Sequence, residues 1–372
     1  MKRKADEPGG VSPGRLRAVF GLEREGTRVL LLGEGNLSFA WAISKLKLSC
    51  VIASTFETED EHRERFQGSQ ARTQMLRDAG VQVIFGVDAT DLSTLPEEVK
   101  EKPFERVIFQ FPQHPERNKI HLNRQLLRQS LQEASRLLTE DGQVLISLLQ
   151  GQGGSPAEAT QRRPKDTWQA QEMGLEAGLL LVGVSECPME ELLAMGYEST
   201  GFRGRGLRDQ TKEVYQERSF NVTGSLTHRF ARLGPGVQSA FPTVRSHDIS
   251  FWIQENFSED LLLRTCAAVA LGGELDVQPE LKLLDEYCSP MDGRRARTYR
   301  LLVSSSTRCI HEAMWKAWCG QVRERLLQVR RSESSGKRRR RSDGSVESQV
   351  LRVGRCGCRV WRDMGLASPM FY

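Results

Sequence analysis

The sequence has no run that approaches the roughly 20 consecutive apolar residues of a membrane-crossing helix, and no membrane partner is expected. Its first residues, MKRKADEPGG, are polar and lack the apolar segment of a secretory signal. Paired cysteines are missing too. Cys50, Cys187, Cys266, Cys288, Cys309, Cys319, Cys356 and Cys358 are scattered, and none forms a CxxC. Cys356 and Cys358 make a lone CxC with no His or second pair nearby, so no metal site is expected, and scattered thiols suit a reducing compartment. The body of the chain also lacks an excess of one charge. The net charge is +5, but residues 331–372 alone carry ten Lys/Arg and four Asp/Glu, a net of +6, which leaves −1 for residues 1–330. The basic balance therefore sits in a tail and does not by itself argue for a nucleic-acid-binding core.

What is present is a soluble, globular composition, 38% hydrophobic and 27% charged over 372 residues, long enough for two domains and a further segment. The most informative stretch is residues 28–57, RVLLLGEGNLSFAWAISKLKLSCVIASTFE. Val29 to Leu32 is a short apolar strand and Gly33-Glu34-Gly35-Asn36 breaks it. Leu37, Ala40, Trp41 and Ser44 follow at helical spacing, and Cys50 to Ala53 is a second strand ending near Glu57. Glycines let a ligand approach the backbone, the helix start offers unpaired N–H groups, and an acid after the second strand can bind a ribose diol. The third glycine of the usual dinucleotide fingerprint is missing, which disfavours a pyrophosphate cradle. A GxG with an acid inside it suits a smaller, cationic nucleoside. S-adenosylmethionine fits, with Glu34 facing its charged methionine end. The plain alternative is a strand-turn-helix whose glycines only make the turn.

The chain then continues in alternation. Residues 59–80 read as one charged surface helix ending at Gly80, and Val81 to Phe85 as a third strand followed by a turn with Asp88. Asp88 either contacts an adenine amino group or caps the next short helix. Val107 to Phe109 is a buried strand with Gln110 at its carboxyl edge, where ligands of open α/β sheets bind. Gln110 can hydrogen-bond a base edge and Phe111 can stack on it. His114 reads more readily as a surface-loop histidine than as a base. Residues 119–138 form an amphipathic helix ended by Asp141-Gly142, Val144 to Leu149 a strand, and 151–167 a candidate lid. Trp168 to Gly178 reads as helix, Leu179 to Val184 as strand, 196–219 as a glycine-rich basic loop, and Phe220 to Phe230 as a closing strand. Six strands alternating with helices, plus a seventh, predict a mostly parallel doubly wound sheet.

The segments LLGEGNLSFA, FGVDAT, FERVIFQFP, NRQLLRQSLQEASRLLTEDGQV, the Trp168 helix and GYESTGFR stand in the order found in the 25S rRNA uridine-N3 methyltransferase-like family, which residues 27–231 resemble. The resemblance implies a Rossmann-like class I methyltransferase sheet, with Gly33, Glu34, Gly35, Asn36 and Ser38 in the cofactor loop, Glu57 as the acid after the second strand and Asp88 in the adenine loop. It also exposes departures. The family's Asn-Phe-Pro-His is here Gln110-Phe111-Pro112-Gln113, with His114 displaced by one, and the lysine after the fifth strand is replaced by Leu149. Gln110 cannot act as a base, and His114 could do so only if its loop folds inward.

In the second half, Asp248 to Ile253, residues 275–287 and Arg297 to Ser304 read as strands, with helices from Ser258 and over 309–329. This βαββα order predicts a small split β-α-β sandwich. SHDISFW, LLDEY, DGRRARTYRL and the last helix resemble the ferredoxin-fold anticodon-binding domain of phenylalanyl-tRNA synthetase, whose sheet face contacts tRNA. That resemblance makes Arg294, Arg295, Arg297 and Arg300 candidate phosphate contacts; Arg294 and Arg295 also fit a plain solvated hairpin tip. Relatives that join the two domain types usually carry synthetase-like sequence between them, so this chain reads as a shortened form. Gln349 to Val353 is a weak candidate for the domain's fourth strand. Lys337 to Arg341 fits a nuclear-localisation or nucleic-acid patch, and more readily a disordered tail.

The expected organisation is a disordered N-terminus (1–26), a methyltransferase-like α/β domain (27–231), a linker (232–240), a small α+β ferredoxin-like domain (241–329) and a basic disordered tail (330–372). The expected activity is S-adenosylmethionine-dependent methylation of RNA, rRNA uridine N3 first and tRNA second. The rival is a non-catalytic RNA-binding adaptor that keeps the fold. The expected compartment is the cytoplasm, with the nucleus or nucleolus as the alternative.

Overall fold

The computed structural model describes residues 13–114, 119–199, 220–253, 257–269 and 279–339. The chain divides into two compact units, residues 1–241 with 306–309, and residues 242–305 with 310–372. The first unit runs α1 (Gly14–Phe20), β1 (Arg28–Leu32), α2 (Ser38–Ser44), β2 (Cys50–Ser54), α3 (Glu59–Arg65), α4 (Ser69–Asp78), β3 (Gln82–Ile84), α5 (Glu97–Lys100), β4 (Phe104–Gln110), α6 (Ile120–Arg136), β5 (Leu138–Leu148), α7 (Ala170–Glu176), β6 (Leu179–Glu186), α8 (Met189–Ala194) and β7 (Leu226–Arg232).

These seven strands form one sheet in the order β3-β2-β1-β4-β5-β7-β6. The neighbours from β3 to β5 are parallel, and β7 lies antiparallel between β5 and β6. An otherwise parallel sheet with its last strand inserted backwards is the Rossmann-like sheet of class I methyltransferases. The central strands are apolar on both faces because helices cover both. Leu30, Val107, Val144 and Phe230 pack with Leu127 and Leu131 of α6 on one side. Val29, Leu31, Ile108 and Leu145 pack with Phe20 of α1 and Phe39 and Ile43 of α2 on the other.

Several boundaries differ from the expected ones. Residues 13–26, assigned to a disordered N-terminus, contain α1, whose Leu16 and Phe20 are buried in the core. The single helix expected over 59–80 is two. A Thr58/Glu61 capping box starts α3, and Gly68 at φ 77° separates it from α4. Leu37 stands just before α2 in the left-handed region and is buried all the same; the helix itself buries Phe39, Ala40, Ala42 and Ile43, whereas Trp41 and Ser44 of the expected helical set are only half-buried. Asp141-Gly142 does not end α6. The helix stops at Arg136 because Leu137 already gives its carbonyl to Phe104 N, and the chain enters β5 at once. A Cβ on Gly142 would lie 2.8 Å from the Phe104 carbonyl, which explains a glycine inside that strand. The closing strand begins at Leu226 rather than Phe220.

The second unit runs β8 (Thr243–Ile253), α9 (Glu259–Ala267), β9 (Glu280–Cys288), β10 (Arg295–Ser305) and α10 (Glu312–Arg339), the expected βαββα order. Its antiparallel sheet has the order β8-β10-β9. Phe251, Tyr299, Leu301 and Val303 pack with Leu262 of α9 and with Trp315, Trp318 and Val322 of α10. The Ser258 side chain caps α9 by accepting from Leu261 N. The helical backbone of α10 continues past residue 329 to Arg339, into the segment assigned to the disordered tail. The glycine-rich stretch 200–219, the strand proposed at Gln349 to Val353, the side chains of the Lys337 to Arg341 run, and Cys356 and Cys358 lie outside the described residues. No helix among the described residues is long and apolar enough to cross a membrane.

Candidate cofactor and substrate site

The carboxyl ends of β1, β2, β3 and β4 gather nearly all the residues singled out in the first unit. Gly33 leaves β1 at φ +61°, and a Cβ there would sit 2.3 Å from the Phe109 ring, so both conformation and space demand glycine. Glu34 N–H donates to the Ser54 carbonyl and stitches the loop to β2. The Glu34 side chain is buried, and its Oε2 accepts from Ala40 N at 3.0 Å, in the first turn of α2. Burial pushes its carboxyl up to about 7, against the opposing pull of the Ala40 N–H and of Arg72. Glu34, expected to face a ligand's charged end, gives one of its oxygens to the helix start.

Asn36 and Ser38 are engaged with the segment after α8. Asn36 Nδ2 donates to Glu198 Oε2 at 3.2 Å, Ser38 Oγ donates to the Glu198 carbonyl, and Glu198 N–H donates back to Ser38 Oγ. The outer carbonyls of the loop are held as well. His62 of α3 meets the Gly35 carbonyl at 2.6 Å, and Arg72 of α4 donates to the Asn36 carbonyl at 2.8 Å. The N–H groups of Gly35, Asn36 and Leu37 have no acceptor among the described residues. The loop is thus braced from outside by its carbonyls and keeps three adjacent donors open.

Glu57 follows β2, is 6% exposed, and shares an ion pair with Arg65. Its carbonyl accepts from Gly86 N and Thr55 Oγ1, which ties the end of β2 to the turn after β3. Beside it Phe56 is 57% exposed, an unusual position for an aromatic at a sheet end. Asp88 closes an Asx turn, its Oδ1 accepting from both N–H and Oγ1 of Thr90. It does not cap the next turn; Asp91 does.

Gln110 ends β4. Its Oε1 and Nε2 are both buried without a hydrogen-bond partner among the described residues, which costs free energy unless something supplies the missing bonds. In register with it across the sheet are Ser147 and Thr227, whose hydroxyls bond at 2.9 Å. Phe111, at φ +49°, donates its N–H to Ser147 O and packs edge-on against Phe220. His114 is positioned by its main-chain N–H, which donates to Asn123 Oδ1 of α6. Sequence reasoning missed His62, Arg72, Ser147 and Thr227. Nothing in the sequence marked His62, which sits in a run that reads as a solvated helix.

In the second unit the candidate arginines divide between two faces. Arg295 and Arg297 share the face of Phe251 and Tyr299, which the helices cover, and both pair with Glu286; Arg297 also faces Glu259 of α9. Arg300 lies on the open face, where it makes a two-point pair with Asp248 at 2.7 and 2.8 Å. Arg294 pairs with Asp292 and stacks over Trp252 at 4.8 Å. Trp252 packs edge-on against Tyr287 at 6.1 Å on that same open face. Among the described residues no group of three or more His, Cys, Asp or Glu could hold a metal ion.

With this geometry in view, the comparisons with known proteins are informative for the first unit. The chain is 35% identical over 209 residues to the human ferredoxin-fold anticodon-binding domain-containing protein 1, covering 56% of this chain and 31% of that protein. It is 34% identical over 236 residues to the Mus musculus homolog, covering 61% and 35%. The chain spans about a third of the length of these curated relatives. A solved 30S ribosomal A1408 methyltransferase from an uncultured bacterium is 14% identical, with a TM-score of 0.35, over 60% of this chain and 95% of that one. Residues 30–199, which contain the glycine loop, Glu57, Asp88, Gln110 and His114, match the family described as BMT5-like, rRNA (uridine-N3-)-methyltransferase BTM5-like.

Proposed function

We propose that the first unit is an S-adenosylmethionine-dependent RNA methyltransferase acting on uridine N3 of rRNA, and that the second unit helps to hold RNA. The observation that carries this reading is the glycine loop, where three adjacent N–H groups lack acceptors among the described residues while the carbonyls behind them are tied down. Such a loop suits a ligand's carboxylate. Glu57, at the end of β2, is placed for a ribose diol once Arg65 yields, and the exposed Phe56 offers a ring to adenine. The residues present therefore fit this cofactor.

Bound there, the sulfonium supplies an electrophilic methyl group. The chain has to align a target nitrogen with it and manage one proton. Gln110 carries one acceptor and one donor group, both buried and unpaired among the described residues, which complements the N3–H and O4 of uracil. It can hold the N3 proton at Oε1 but cannot remove it, so the proton leaves to water or to His114. That limitation favours a second reading, a non-catalytic RNA-binding adaptor that keeps the fold. In either reading Trp252, Tyr287 and Arg294 on the open sheet face supply stacking surfaces for unpaired bases.

The test is calorimetric titration with S-adenosylmethionine of the wild type and of Gly35→Arg. The expected result is saturable binding by the wild type, abolished by the arginine. No binding by a folded wild type removes the methyltransferase reading and leaves the adaptor.

A further inference from the structure

His62 is 0% exposed and is wedged between the rings of Phe66 and Phe85, 4.7 and 5.3 Å away. Its Nε2 lies 2.6 Å from the Gly35 carbonyl and its Nδ1 2.6 Å from Ser69 Oγ. A carbonyl can only accept, so Nε2 carries the hydrogen in the neutral ring, and Nδ1 takes the Ser69 hydroxyl proton. In a planar trans peptide the C=O and the following N–H point in opposite directions. Holding the Gly35 carbonyl against α3 therefore aims the Asn36 N–H away from α3. Arg72, holding the Asn36 carbonyl, does the same for the Leu37 N–H. These are two of the three donors without acceptors among the described residues.

We infer that His62 is a positioning residue of the glycine loop, and that in its neutral Nε2–H form it fixes the peptide whose N–H meets the anionic end of the cofactor. The inference rests on the cofactor reading proposed above and adds the group that keeps the loop open. It also makes the loop sensitive to acid. Burial among aromatic rings holds the imidazole below its ordinary range; the hydrogen bond to the Gly35 carbonyl and then Glu57 beyond β2 oppose that, and Arg65 of α3 and Arg72 of α4 reinforce it. A second proton would place a hydrogen on Nδ1 against Ser69 and a charge beside both arginines. With the folded value depressed, the neutral ring and the bond that Nδ1 accepts from Ser69 are intact above the ordinary histidine range and are lost as pH falls through the folded value; the Nε2–H bond to Gly35 survives in the charged ring, which then lacks its Ser69 anchor.

The experiment compares wild type, His62→Phe and His62→Gln by calorimetric titration with S-adenosylmethionine from about pH 8 down to about pH 5, spanning the histidine range. His62→Phe keeps the ring volume and removes the donor, and is expected to weaken binding by roughly five- to tenfold. His62→Gln can restore a donor that does not titrate. It is expected to recover most of the affinity and to flatten the acid side of the profile. Glu34 titrates in the same loop, so the difference between variants is the quantity read. Nitrogen NMR of the wild type is expected to show the Nε2–H tautomer without any ligand. Wild-type binding with unchanged affinity in His62→Phe, or an acid profile in His62→Gln identical to wild type, overturns the inference and leaves the cofactor reading standing. If His62→Phe fails to fold, the profile of His62→Gln decides alone. A wild type that binds at no pH removes the cofactor reading, and this inference with it.

Discussion

The two units solve the same problem, covering a sheet, in different ways. In the first, helices lie on both faces, and β1 and β4 are apolar on each. Neither face is free, so polar chemistry is confined to the loops at the carboxyl ends. In the second, α9 and α10 cover one face, and the other carries Trp252, Ser250, Thr298, Asp248 and Arg300 in the open. The difference shows in the charges. Glu34 of the first unit is buried and pushed up, whereas Asp248, Glu286 and Asp292 of the second are exposed and pushed down by neighbouring hydrogen bonds and arginines. A covered sheet concentrates function in a few crowded, costly positions; an open one spreads it over a surface where single residues matter less.

Left-handed glycines give the sharpest way to break that contrast. Gly33 and Gly293 have φ of +61° and +66°, but a Cβ would strike Phe109 at the first and nothing within 4 Å at the second. Gly33→Ala is expected to cost about 3 kcal/mol or more, and Gly293→Ala about 1 kcal/mol, in thermal or denaturant unfolding. Equal losses would show that crowding at the loop is not what sets Gly33 apart.

Glu34→Gln is the next largest. Because the folded carboxyl sits at about 7 against an ordinary 4.5, the native state binds the extra proton between those values, and stability falls as pH rises across them. Replacing the group is expected to remove a slope of roughly 2–3 kcal/mol over that window, measured as the pH dependence of unfolding. The second unit's carboxylates run the other way. Their contribution is present above the ordinary carboxylate range and is lost as pH falls below it through the depressed folded values. A slope that survives Glu34→Gln would mean that another group sets it.

The smallest expected effect lies on the open face. Trp252→Ala should weaken binding of a short single-stranded RNA by about tenfold, read by fluorescence anisotropy, with little change in unfolding temperature. Gly35→Arg should leave that binding unchanged. Loss of RNA binding in Gly35→Arg rather than in Trp252→Ala would move the RNA contact to the first unit.

Much of this could be read along the chain. The apolar runs of β1, β2 and β4, the GEGN break and the βαββα order of the second half all follow from local period and turn chemistry. Where reading failed, a neighbour distant in sequence had decided. The early pairing of Leu137 with Phe104 overrode Asp141-Gly142 as a helix end, and the left-handed Leu37 delayed the start of α2 to Ser38. The parity of β10 put Arg297 under the helices and Arg300 in the open, which depended on a strand register unknown beforehand.

The site divides along the same line. Local pattern was enough to set a glycine loop after the first strand and Glu57, Asp88 and Gln110 at strand ends, because hydrophobic period and glycine are local properties. Tertiary packing was needed to bring Glu198, 162 residues from Asn36, onto that loop, to pin its carbonyls with His62 and Arg72, and to bury the Gln110 amide unpaired among the described residues. Hydrogen bonds across such separations depend on how the crossovers stack helices on the sheet, and no window of sequence records that.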